Sequence, residues 1–101
     1  MQASTTSENG EVTVRLSGRF DFSAHRAFRD AFELALADAR ARSLTIDLGG
    51  VDYVDSSALG MLLVLREKAD AVGRSVALTN ARGTVKQVLD IANFRKLFTF
   101  V

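Results

Sequence analysis

The stretch Leu44-Thr45-Ile46-Asp47-Leu48-Gly49-Gly50-Val51-Asp52-Tyr53-Val54-Asp55-Ser56-Ser57-Ala58-Leu59-Gly60-Met61-Leu62-Leu63-Val64-Leu65 changes its hydrophobic period part-way along. At its start Leu44, Ile46 and Leu48 alternate with Thr45 and Asp47, the period-two pattern of a strand with one buried face. Gly49-Gly50 is expected to break that strand. From Leu59 to Leu65 almost every residue is apolar, and seven such residues alone fit a strand or a buried helix. Ser56 as a cap, the helix-favouring Leu and Met residues, and Gly73 as a stop select the helix. Leu59, Leu62, Leu63 and Val64 are expected to be largely buried, because this helix must pack on the sheet. A strand feeding a buried helix is the unit of an α/β fold.

On the N-terminal side, Asn9-Gly10 is a two-residue hairpin signal, since both central residues of a type I′ turn need positive φ. Val12, Val14 and Leu16 alternate with Thr13, Arg15 and Ser17 in the next strand, which Gly18 ends. The segment before the turn, Ala3 to Ser7, is weakly patterned and reads as an edge strand or a loose tail. Ser23 caps a helix expected to reach about Arg40, with Phe28, Phe32, Ala35, Leu36 and Ala39 on one stripe. On the C-terminal side Val76 to Thr79 reads as a short strand. Val85, Val88, Leu89 and Ala92 mark a third amphipathic helix, ended near Asn93. Phe94, Leu97, Phe98 and Phe100 form an apolar tail that must dock on the core. The pattern predicts an α/β fold, a mixed four- to five-stranded sheet with packed helices, as a single domain over residues 1–101.

Composition narrows the function. The 101 residues are 48% apolar and 25% charged, a globular composition sufficient for one modest core. No apolar run approaches the length of a membrane span. Met1 to Gly10 is polar and lacks a secretory signal, so a cytoplasmic location is expected. Cysteine is absent, which removes disulfides, thiolate metal sites and cysteine nucleophiles. A formal charge of +1 gives no sign of a nucleic-acid or membrane surface.

Enzyme signatures are missing as well. His25 is the only histidine, so no multi-histidine metal site can form. A triad of Ser56, His25 and Asp55 can be written, but Asp-Ser-Ser-Ala lacks the glycine-flanked nucleophile elbow. No phosphate-binding loop or dinucleotide fingerprint is present. No catalytic residue, metal or cofactor is expected. The segment Asp55-Ser56-Ser57 stands apart, because it places an acid and two hydroxyls in the first turn of a buried helix. One reading makes Ser56 a simple cap and Asp55 a dipole partner. The other has this helix start carry a phosphate, since its free N–H groups favour anions.

The chain resembles the anti-sigma-factor antagonists, small bacterial proteins of the STAS domain family. The resemblance rests on Gly18-Arg19-Phe20-Asp21, on Leu44-Thr45-Ile46-Asp47-Leu48, and most specifically on Val51 to Gly60. In that family an Asp-Ser-Ser/Thr-Gly-Leu-Gly segment opens a helix, and its first serine is phosphorylated by a partner kinase. The resemblance implies phosphorylation at Ser56, with Asp21, Asp55, Ser57, Ala58 and Gly60 as partner-binding positions. It also implies a partner switch. Unphosphorylated, the protein binds an anti-sigma factor or serine kinase and frees a sigma factor; phosphorylated, it lets go, and a PP2C-type phosphatase resets it. Ala58 replaces the usual glycine, where its methyl is expected to crowd an approaching partner, and Arg19 stands where an acidic residue is frequent. The alternative within the family is a STAS accessory subunit of a membrane-lipid ABC transporter.

Overall fold

A computed structural model describes residues 1–101 and arranges them as five strands and three helices. The strands are β1 (Gln2–Glu8), β2 (Glu11–Phe20), β3 (Ser43–Val54), β4 (Ser75–Thr79) and β5 (Thr99–Phe100). The helices are α1 (His25–Ala37), α2 (Ser56–Ala71) and α3 (Gly83–Ile91). The sheet order is β1-β2-β3-β4-β5, with β1 antiparallel to β2 and every later neighbour parallel. The expected mixed α/β sheet is therefore present. Each parallel step is bridged by one helix, as parallel pairing requires.

One side of the sheet carries the core. Val12, Val14 and Leu16 of β2, Leu44, Ile46 and Leu48 of β3, and Leu78 of β4 are buried. They join Phe28 and Phe32 of α1, Leu62 and Leu65 of α2, and Val85 and Leu89 of α3 in one cluster. Phe20, Phe28 and Phe32 stack in tilted and edge-on pairs, with centroids 4.9 and 5.3 Å apart. Phe94 and Phe98 close the far end of the cluster, so the aromatic tail does dock. Strand residues of the opposite parity, among them Arg15, Asp47 and Thr79, leave the other face polar and partly open.

Two strand ends differ from the sequence reading. Gly18 does not end β2; it holds a positive φ of 93° inside the strand, and pairing resumes to Phe20. Gly49-Gly50 does not break β3, which continues to Val54. The register slips between Arg15 and Ser17 and again between Gly18 and Arg19, with β3 supplying the extra residue each time. These are bulges, which bend a strand and leave it paired. Gly50 is required at the first: a Cβ there would lie 2.9 Å from both the Leu16 carbonyl oxygen and the Ser17 Cβ. The bulges carry the buried positions of β3 from Leu48 to Val51 and Val54, and aim its end at the start of α2.

Candidate functional site at the start of α2

Phe20 and Val54 are register partners and both are buried, so β2 and β3 end side by side. The residue after each is an aspartate in extended conformation, and each aspartate caps the helical turn beyond it. Asp21 caps a 3-10 turn, Phe22–Ala24, by accepting from the Ser23 N–H at 3.0 Å and the Ser23 hydroxyl at 2.6 Å. Asp55 caps α2 by accepting from the Ala58 N–H at 3.0 Å. Sequence reasoning assigned both caps to serines, Ser23 and Ser56. The carboxylates hold those roles because they sit at the last extended residue, where a side chain can reach back to the first free amides. α1 consequently begins at His25, after the 3-10 turn, and stops at Ala37 short of Arg40 and Ala39.

Moving the cap to Asp55 changes the position of Ser56. It becomes the first residue of α2 and is exposed, with its hydroxyl not required for capping. Ser57 is half-buried. The structure thus brings together Asp21, Asp55, Ser56, Ser57 and Gly60 at one end of the sheet. Ala58 departs from that set. It is fully buried, so its methyl packs into the core instead of lying on the surface.

Along α2, residues Ser56, Gly60, Leu63 and Glu67 lie on one line by helical spacing, and all are exposed. Leu63 and Val64 are 40% and 45% exposed, contrary to the burial expected of them, while Leu59 is half-buried and Leu62 fully buried. The buried face is already filled by Ala58, Met61, Leu62, Leu65 and Ala69. A helix this apolar has hydrophobic residues left over for its outer face. Phe22, 77% exposed in the 3-10 turn, is a further apolar side chain on the element that abuts α2. Ser56 and Gly60 of this stripe are legible as site residues in the sequence, whereas Phe22, Leu63 and Val64 are not; a run of leucines gives no sign of which members face out.

Arg19 borders the same end. Its guanidinium lies 4.0 Å over the Tyr53 ring, and its Nε is 3.4 Å from Asp21 Oδ2. Hydrogen bonds from Ser23, chiefly from its hydroxyl, hold the Asp21 carboxyl below its ordinary pKa, and Arg19 adds to that shift. No group of three or more metal-ligating side chains is present.

A sheet of this order, feeding a serine-bearing helix start, defines a class of small α/β domain. The family model described as Mlab, STAS domain matches residues 3–99, and the chain belongs to that family. A STAS-domain containing protein of Pseudomonas aeruginosa is 42% identical over 93 residues, covering 92% of this chain and 90% of that protein. The anti-sigma F factor antagonist of Paenibacillus polymyxa is 24% identical over 97 residues, covering 96% and 83%. The solved anti-sigma factor antagonist SpoIIAA in its unphosphorylated form has a TM-score of 0.74 at 20% identity, covering 98% of this chain and 86% of that one. Its phosphorylated form from Bacillus gives 0.71 at 21% identity, covering 98% and 90%. The two forms share the fold of this chain.

Proposed function

We propose that this protein is a phosphorylation-controlled anti-sigma factor antagonist. Unphosphorylated, it binds an anti-sigma factor or serine kinase over the surface around Ser56 and so frees a sigma factor. A phosphate on Ser56 releases that partner, and a PP2C-type phosphatase restores the binding form. The observation that supports this most is the exposed Ser56 hydroxyl at the first position of α2, left uncommitted because Asp55 provides the cap.

The physics of such a switch is local. Phosphate adds about −1.5 to −2 charge at neutral pH, together with strong acceptor oxygens. Asp21, Asp52 and Asp55 already cluster around the ends of β2 and β3. A partner surface that covers Ser56, Gly60, Leu63 and Val64 in the neutral state faces a desolvated dianion in the modified state. Within the domain the free amides of the first α2 turn and its helix dipole favour the added charge. The fold can stay the same while the surface changes. Asp21, Asp55, Ser57 and Gly60 are the contact positions in this reading; Ala58 supports them from beneath.

The test is affinity purification from the native cell combined with phosphopeptide mass spectrometry. Recovery of an anti-sigma factor or serine kinase, bound only to the form unmodified at Ser56, is the expected result. Recovery of an ATPase with integral membrane proteins would identify a transporter subunit instead.

A further inference from the structure

We propose that the open face of the sheet holds a second binding site, for a small polyol bearing an oxyanion, such as a sugar phosphate or a sugar acid. A cavity of ≈ 860 Å³ lies there, between β1, β2, β3 and the segment linking β4 to α3. Small-molecule sites commonly measure about 300–1,000 Å³. None of Asp21, Asp55, Ser56, Ser57 or Gly60 lines it.

Its charged groups set the ligand class. Asp47 is held through Oδ1, which accepts from the Gly49 N–H at 2.9 Å and from Asn80 Nδ2 at 3.1 Å, while Oδ2 makes only a 3.8 Å ion pair with Arg15 Nε. That carboxylate braces the wall. Gly49 makes room for it, since a Cβ would approach Asp47 Oδ1 to 3.1 Å. Arg15 Nη1 donates to Thr6 Oγ1 at 2.8 Å, and Arg82 Nη2 donates to the Gly49 carbonyl oxygen at 2.8 Å. A guanidinium has five N–H donors, so both arginines are held in place with donors to spare. Two guanidiniums against one committed carboxylate leave the cavity positive, and forked donors suit a carboxylate or phosphate.

The remaining lining defines the body of the ligand. Gln2, Ser4 and Ser17 contribute an amide and hydroxyls, whereas the apolar lining is confined to Ala3, Leu16 and Ala81. No aromatic side chain lines the cavity, so a nucleobase would find no stacking platform. A hydroxylated chain or ring carrying the anion matches this lining.

The experiment titrates the ¹⁵N-labelled full chain with glucose 6-phosphate, gluconate and glucose at constant ionic strength, following amide shifts. We expect saturable shifts at Gly49, Gly50, Asn80 and Ala81 with at least one anion and none with glucose. Saturation by glucose 6-phosphate alone assigns a phosphate ester; saturation by gluconate alone assigns a carboxylate. Arg15→Gln and Arg82→Gln, made separately and checked for unchanged core shifts, should each weaken binding about tenfold by removing a charge-assisted donor. Lack of saturation by either anion overturns the proposal. So do shifts centred on Ser56 to Leu59, an equal response to glucose, or undiminished binding in both variants.

Discussion

Asp55 accepts the Ala58 backbone N–H at 3.0 Å, and this bond separates the capping of α2 from the chemistry of Ser56. A serine that caps its own helix has its oxygen committed to an amide, whereas Ser56 comes after the cap and keeps its hydroxyl outside. Asp21 also caps the turn beyond it, one strand away, but there the Ser23 hydroxyl is itself bonded to the carboxylate. Because Phe20 and Val54 are register partners, the two caps end neighbouring strands together. Stability of the helix start thus rests on carboxylates, and the hydroxyl beside it is free for modification.

Asp55→Ala should therefore lower stability by about 0.5–2 kcal/mol, the usual loss for an N-cap. Asp55→Asn should retain most of it, since an amide oxygen accepts the same bond. Ser56→Ala should change stability by less than about 0.5 kcal/mol. Urea denaturation of the three variants checks this ordering, and it would be reversed if Ser56 were the cap.

Modification should fall on Ser56 and not on Ser57. Ser56 is exposed and Ser57 is half-buried, so a kinase reaches the first hydroxyl without unwinding the turn. In intact-mass analysis after treatment with the cognate kinase, Ser56→Ala should abolish the added phosphate and Ser57→Ala should leave it.

Neighbouring leucines on α2 should behave in opposite ways. Leu62 is fully buried, so Leu62→Ala should cost roughly 2–5 kcal/mol through lost burial and a residual cavity. Leu63 is 40% exposed, so Leu63→Ala should cost less than about 1 kcal/mol in the isolated domain. Leu63→Ala should instead weaken partner binding, since its side chain lies in line with Ser56 and Gly60. Denaturation and a binding titration on the same two variants separate these roles.

The Asp21 carboxyl should titrate below the ordinary carboxylate range. Its pKa is depressed in the folded state, so its contribution to stability is present above the unfolded pKa. That contribution is lost as pH falls through the lower folded value. Ser23→Ala removes the main cause, the hydroxyl hydrogen bond, and should move the midpoint upward. Arg19→Ala should move it the same way. Side-chain carboxyl NMR titration reads all three.

How much of this could be read from the chain depends on whether local pattern or tertiary pairing decides. The alternation of Leu44, Ile46 and Leu48 and the stripe of Phe28, Phe32 and Ala35 survive intact, because one face of each is buried. The tail was legible too, since Phe94 and Phe98 could only be covered by docking. Gly18 and Gly49-Gly50 misled because glycine marks a break and a bulge alike. Pairing with a neighbouring strand makes them bulges, and no local signal contains that neighbour. Leu63 and Val64 misled because α2 is apolar on both faces, which removes the periodicity that distinguishes inside from outside. The site motif Asp55-Ser56-Ser57 was visible, but the division of labour within it was not, since aspartate and serine are both good caps. The cavity beneath Arg15 and Arg82 joins residues from distant segments, and nothing in the linear order announces it.

The switch itself should depend on charge at Ser56. Ser56→Ala should bind the partner about as tightly as the unmodified protein, because it leaves a small neutral group on the contact surface. Ser56→Asp should bind more weakly, and the enzymatically phosphorylated protein should bind weakest, since Asp carries one charge and fewer acceptor oxygens than phosphate. A coupling of about 1–3 kcal/mol corresponds to roughly 5- to 150-fold in affinity. All four forms should keep the same far-ultraviolet circular dichroism spectrum, because Asp55 still caps α2 and the first-turn amides donate to the anion. Raising salt should narrow the gap between neutral and charged forms to the extent that the contact is reached by ions. A phosphorylated protein, confirmed as modified at Ser56, that bound as tightly as the unmodified one would reduce this helix start to a structural feature.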